Sequence, residues 1–221
     1  MTTFAIMQAR IADEIVRDDL AAQIKNAINQ AINTWEGARF VFNEKRYLIN
    51  TVNGTEYYDL VSPTLLLSSG AAVGTGETVL ELDSITCTVN NMPYPLTPRT
   101  QQWFDRYATL PTQFKGQPDS YGIYNNQIRL FPIPDKAYPL NLSALARLSP
   151  NPLTADADTN AWMTEGEPLV RQQAKYILYR DVIRDAEGKA GAGEGIQEAQ
   201  WQLERKMAGK LYTGRQAAWT L

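Results

Sequence analysis

Histidine is absent from this chain of 221 residues, and cysteine occurs once, as Cys87. Ser–His and Cys–His nucleophilic catalysis therefore lack their base. A zinc site lacks its usual ligands. A lone cysteine cannot close an internal disulfide, which fits a reducing compartment. No apolar run reaches the roughly 18 residues of a membrane span. The opening MTTFAIMQARIADE has no basic region followed by an apolar core, so no secretory leader is expected. Positive charge is not in excess either: 21 Lys and Arg stand against 24 Asp and Glu, a net charge of −3. Tight duplex binding is disfavoured. A mildly acidic protein can still surround DNA without holding it, because like charge opposes sticking. Carboxylate, lysine and tyrosine chemistry are what remain open to an enzyme.

Hydrophobic residues make up 44% of the chain and charged residues 20%, an ordinary globular balance. The length suits one large domain or a core with a sizeable insertion. Phe4, Met7, Ile11 and Ile15 recur three and four apart, which predicts a helix over about 4–17. The phase breaks before Leu20, and Asp19 is placed to cap a second helix over 20–36. Its apolar face is Leu20, Ile24, Ala27, Ile28, Ala31, Ile32 and Trp35, and Gly37 ends it.

The middle of the chain changes period. Asn53-Gly54 between 46–52 and 55–60 predicts a hairpin, since a type I′ turn needs positive φ twice. Asn90-Asn91 and Asn125-Asn126 predict two more. Leu140, Leu142, Ala144, Ala146 and Leu148 alternate as a half-buried strand. Residues 79–89 read as a strand with a bulge near Asp83, where the apolar phase slips. Residues 99–107 form a short helix carrying Trp103 and Phe104. Segments 68–78 and 149–163 read as loops by composition.

Helical spacing returns after 163. Thr164 with Glu167 fits a capping box, and Pro168 falls in the first turn. Val170, Ala174, Ile177, Leu178 and Val182 form the stripe, and Gly188 closes the helix. The run GKAGAGEG over 188–195 then reads as a flexible helix–helix joint. It fails as a phosphate loop, because alanine follows Gly188-Lys189 and a helix rather than a strand precedes it. A last helix runs from about Ile196, with Ala199, Leu203, Met207 and Leu211 in phase. The tail 212–221 reads as loose.

The fold class is therefore α+β. N- and C-terminal amphipathic helices (1–37 and 164–211) form a helical core, an antiparallel β-hairpin region (38–150) is inserted between them, and 212–221 is a C-terminal tail, all within one domain. Asp13, Glu14, Asp18, Asp19, Asp156, Asp158 and Glu165 are scattered acids, read as solvated faces and caps. Arg205, Lys206, Lys210 and Arg215 cluster near the end of the last helix. They suit either the helix dipole or an acidic partner surface. Trp219 is a large apolar group beside a fraying end, which either folds back or docks on a partner.

Four segments carry a resemblance: LAAQIKNAINQAINTWEGARFVFNEK, YLINTVNGTEYYDL, QPDSYGIYNNQIRLFPIPDKAYPLNLSALARL and TNAWMTEGEPLVRQQAKYILYRDVIRD. The third is the most specific, a proline-flanked hairpin running from Tyr121 to Asp135. In this order they resemble the head-to-tail adaptor (connector) proteins of tailed bacteriophages, the tail tubular protein A and tail accessory factor type. The resemblance implies a virion structural protein and not an enzyme, with no catalytic residues, cofactor or metal. It implies a ring of about twelve copies beneath the portal protein, the heterologous assembly a closed ring requires. The genome would pass through the centre without specific binding. C-terminal segments would grip the portal, with Arg205, Lys206, Lys210, Tyr212, Arg215, Trp219 and Leu221 as portal-binding residues. The β region would meet the tail tube or nozzle proteins. Its place would be the head–tail junction of the virion, assembled in the host cytoplasm, with no membrane contact. The rival readings are a carboxylate-dependent phage glycan hydrolase, which needs two carboxylates across a cleft, and another neck or tail-completion protein.

Overall fold

The computed structural model describes residues 2–61, 65–67, 70–74, 76–108 and 114–217, with side chains for all of these but 107–108 and 210–217. Helices α1 (Phe4–Ile15) and α2 (Ala21–Trp35) lead into strands β1 (Glu44–Asn50), β2 (Tyr57–Asp59), β3 (Leu66–Leu67), β4 (Thr78–Val89), β5 (Met92–Pro95) and β6 (Thr97–Pro98). Helix α3 (Gln101–Ala108) follows, then β7 (Lys115–Gly116), β8 (Ser120–Tyr124), β9 (Gln127–Phe131), β10 (Ile133–Pro134) and β11 (Pro139–Arg147). The chain ends in α4 (Ala161–Thr164), α5 (Glu167–Leu178), a π-helical turn (Tyr179–Ile183) and α6 (Ala186–Ala217). The class is α+β, in two compact units: 1–43 with 150–221, and 44–149.

In the helical unit, α1 buries Phe4, Met7, Ile11 and Ile15, the residues its period selects. The Thr3 hydroxyl caps it by accepting from the Ile6 N–H at 3.4 Å. Val16 ends it in the left-handed region (φ 53°), an unfavourable conformation for a β-branched residue. Asp19 does not cap α2 as its sequence position suggests. Its carboxylate is taken by the Arg17 guanidinium in two bonds of 2.7 and 2.8 Å, and Leu20 fills the cap position with no side-chain bond. Thr164 likewise belongs to α4, where its hydroxyl donates to the carbonyls of Asn160 and Ala161. Gly166 precedes α5 with no side-chain cap, and Pro168 lies in the first turn. Both caps fail for one reason: a nearer partner claims the polar group.

The glycine-rich joint expected at 188–195 is instead helix. Gly188 does not close α5 either; the π-turn and Arg184 (φ 60°) do. The Asp185 carboxylate then accepts from the Glu187 N–H at 3.0 Å and starts α6. The π-turn shifts the phase, so Val182 leaves the apolar stripe and stands exposed. Each glycine weakens a helix by about 1 kcal/mol relative to alanine, so packing must hold this stretch. It does so through close approach to α5 and the π-turn that follows it. A β-carbon at Gly188 would stand 2.6 Å from the Tyr179 ring, and one at Gly195 would stand 2.8 Å from the Gln172 side chain. Lys189 lies over the Tyr176 ring at 5.8 Å. Beyond the glycines, Ala199, Leu203 and Met207 continue the buried stripe. Helix continues to Ala217, so the expected loose tail is helical over its first six residues, 212–217.

In the β-rich unit, β11 is the centre of a five-stranded sheet ordered β3-β1-β11-β4-β5. Leu140, Leu142, Ala144 and Ala146 are buried along it, with Tyr47 and Ile49 of β1 and Ile85 and Cys87 of β4 beside them. Ser143 pairs with Ser84 and Ala144 with Leu82, so Asp83 is skipped, the bulge its phase slip predicts. Asn90-Asn91 and Asn125-Asn126 join β4 to β5 and β8 to β9, all four with φ between 49 and 62°. The Asn53-Gly54 turn forms, with the Thr55 N–H donating to the Val52 carbonyl at 3.1 Å, but it makes no hairpin. β1 pairs with β11 and β3, whereas β2 pairs with β9 in a second sheet ordered β2-β9-β8-β6. A seven-residue register with the apolar β11 outweighs the local turn. Of segment 68–78, residues 68, 69 and 75 lie outside the described residues. The rest is anchored rather than free: Val73 is buried, and the buried Glu77 carboxylate accepts from the Tyr47 hydroxyl at 2.6 Å and from Lys45 Nζ at 3.1 Å.

The second sheet and α3 are joined by Arg129. Its buried guanidinium pairs with Glu56 and, at 3.6 Å, with Asp105. It lies 5.4 Å from the Tyr57 ring centre and 5.0 Å from that of Phe104. Gly122 leaves room for Phe104, whose ring would be 2.6 Å from an added β-carbon.

Two outcomes are expected in urea denaturation. Gly188→Ala lowers the unfolding free energy by about 1–3 kcal/mol through overpacking on Tyr179. Gly191→Ala, where nothing lies within 4 Å of the added carbon, raises it by about 0.5–1 kcal/mol. Arg129→Met leaves Glu56 without its cation in a partly buried place and lowers stability by about 3 kcal/mol, read by the same assay.

Candidate docking surface

Helix α6 has 32 residues, so at 1.5 Å per residue it is about 48 Å long. Its inner stripe is apolar and small. Its outer face carries Trp201, 58% exposed on a helix whose phase gives it no core position. The Arg205 guanidinium lies 5.2 Å from the Trp201 ring centre, one turn on, a geometry for cation–π attraction. Lys206 points to another sector. There it lines a surface cavity of about 200 Å³ with Glu165, Pro168, Leu169, Ala199 and Leu203.

The residues singled out from sequence do not form one patch. The helical backbone puts positions 212 and 215 in the angular sector of Trp201 and Arg205, and position 210 near that of Lys206. Side chains of Lys210, Tyr212 and Arg215 are not among those described. Trp219 and Leu221 lie outside the described residues. Trp201 was missed by sequence reasoning, although its signal is legible: a tryptophan between Ala199 and Leu203 is out of phase with the buried stripe.

The β-rich unit offers a second exposed set. Met92 and Tyr94 on edge strand β5 are exposed, as are Ile123 and Tyr124 beside the β8–β9 turn. The β5 edge is closed to strand addition. Tyr94 faces Cys87, and the Leu96 N–H donates to Ile85 at 2.9 Å, so the even positions bond inward. The outward positions are Pro93 and Pro95, which carry no N–H.

Reactive groups are engaged in structure. The Cys87 thiol is buried, and burial pushes its pKa up, away from thiolate. Glu14 pairs with Arg171 at 3.1 Å and Lys175 at 2.7 Å, and Asp156 with Lys25 at 3.6 Å. The Asp158 carboxylate accepts from the backbone N–H groups of Thr154 and Ala155, which hold its pKa down. Among the described residues no three His, Cys, Asp or Glu stand together as a metal cluster, and no helix is long and apolar enough to cross a membrane.

A family model described as SU10 adaptor protein matches residues 2–220, and so spans both units. The chain belongs to the SU10 adaptor family. No curated protein matches it. The family is one of phage head-to-tail adaptors, so this adaptor is a structural virion component. On α6 this adaptor exposes an aromatic and a cationic group side by side, Trp201 and Arg205.

Trp201→Ala is expected to change stability by no more than about 0.5 kcal/mol, as for surface sites. Leu203→Ala, two residues on and buried, is expected to lose about 2–5 kcal/mol. Chemical denaturation of both variants checks the assignment of faces.

Proposed function

We propose that this adaptor forms a ring beneath the portal at the head–tail junction and joins the portal to the tail. The family match over 2–220 carries the reading. In this arrangement helices from both ends of the chain make the core body, and the β-rich region is an insertion that meets the tail tube or nozzle. About twelve copies close the ring through two different complementary faces. The end of α6 and the residues after it grip the portal, with Arg205, Lys206, Lys210, Tyr212, Arg215, Trp219 and Leu221 as the contacts. Three features support this: the exposed Trp201–Arg205 pair, the predominance of cations after residue 204, and the length of the helix that carries them.

The charge balance suits a DNA channel. Phosphate contacts by Lys and Arg dominate DNA affinity, and a chain of net charge −3 has no surplus of them. The genome passes through without being held. Assembly takes place in the host cytoplasm, where a chain with a single buried cysteine needs no oxidation.

Electron microscopy of the purified protein mixed with its portal tests the proposal, and rings on the portal are the expected outcome. Removal of residues 212–221 is expected to leave circular dichroism essentially unchanged and to weaken co-sedimentation with the portal. Undiminished co-sedimentation would refute the C-terminal grip. A protein that never joins portal rings would refute the adaptor placement itself.

A further inference from the structure

The outer face of α6 has an order of charge along it. Successive residues turn by about 100°, and on that count Glu187, Glu194, Glu198, Glu204, Arg205, Tyr212 and Arg215 all fall within about 60° of Trp201, Glu198 and Glu204 at opposite edges. Glu187, Glu194, Glu198, Trp201 and Arg205 are each exposed. Along the helix the stripe therefore reads acid, acid, acid, tryptophan, then cation, tyrosine, cation, with the exposed Glu204 on its opposite edge beside Trp201. The inner stripe of Ala192, Ala199, Leu203 and Met207 occupies the other side, against the body of the unit.

A stripe whose N-terminal half is acidic and whose C-terminal half, Glu204 with Arg205 and Arg215, is net positive about a central aromatic is complementary to itself reversed. We propose that α6 pairs with α6 of a second copy of this chain, antiparallel, about a two-fold axis between positions 201 and 202. In that register Glu198 of each copy meets Arg205 of the other. Glu187 falls within one residue of the other copy's Arg215, and the two Trp201 rings meet near the axis. Parallel pairing in register would set glutamate against glutamate and arginine against arginine, so charge selects the antiparallel form. The contact is isologous, and an isologous pair closes on itself. It is a resting form of the unassembled adaptor, distinct from ring closure. That it also covers Arg205 until the portal is met rests on the portal reading above; the pairing itself does not.

The test is sedimentation velocity of the full chain with charge-reversed variants, which reads pairing with no portal present. At about 100 µM protein and about 50 mM NaCl the natural chain is expected to be a dimer, weakened at least about tenfold at about 0.5 M NaCl. Glu198→Arg and Arg205→Glu are each expected to be monomeric, since each sets like charges together twice, with helicity by circular dichroism unchanged. Mixed in equal amounts, the two variants are expected to form a heterodimer, because each supplies what the other lacks. A misfolded variant could not recover in this way. The proposal is overturned by a natural chain that is monomeric at both salt levels, by a dimer indifferent to both reversals, or by a mixture that stays monomeric. Portal co-sedimentation of the same variants is a separate measurement, so failure of the portal reading leaves the dimer result standing.

Discussion

The start of α6 lies so close to the π-turn after α5 that the Tyr179 ring occupies the space a β-carbon would need at Gly188. The long helix depends on that contact. A segment with glycine at 188, 191, 193 and 195 has poor intrinsic helicity, and in isolation it would fray. Held against Gln172, Tyr176 and Tyr179, it becomes the first part of a 32-residue helix. The layout of the α6 surface follows. It carries Trp201 and Arg205 on the side away from its buried stripe, and its backbone continues to Ala217.

The β-rich unit is organised by a different constraint. A nine-residue strand, β11, pairs along β1 on one side and β4 on the other. Its apolar residues recruit a strand that a local turn would have paired elsewhere. The second sheet has a polar device at its edge. Arg129 sits in a low-dielectric place between two rings, with Glu56 and Asp105 neutralising it. Such a pair is strong only while all partners are present. At the β5 edge, Pro93 and Pro95 withhold the N–H groups that another strand would use. The unit exposes the Met92 and Tyr94 side chains on this strand while its backbone offers no outward N–H there.

Among the described residues the outer face of α6 carries charge rather than a large apolar patch. Isolated aromatics such as Trp201 are tolerated on a soluble surface, and a neighbouring arginine shields one face of the ring. Exposed charges such as these are screened beyond roughly 8 Å in physiological salt.

Local patterns were legible in the sequence. The periods of α1, α2 and β11, the two Asn-Asn turns and the bulge at Asp83 depend on neighbouring residues, and the chain encodes them directly. The resemblance carried by four segments led to the family. What the sequence obscured was every choice between competing partners. Asp19 and Thr164 looked like caps because their rivals, Arg17 and the carbonyls of α4, cannot be ranked without coordinates. Asn53-Gly54 looked like a hairpin because the pull of β11 comes from a strand more than eighty residues away in sequence. Glycines at 188–195 looked like a joint because their lost side chains read as freedom, whereas in the fold Gly188 and Gly195 are clearance for Tyr179 and Gln172. On α6, composition alone located the cations near the chain's end. Only the helix, running unbroken through the glycines, decided which of them share a face with Trp201, because angular position exists only once the backbone period is continuous.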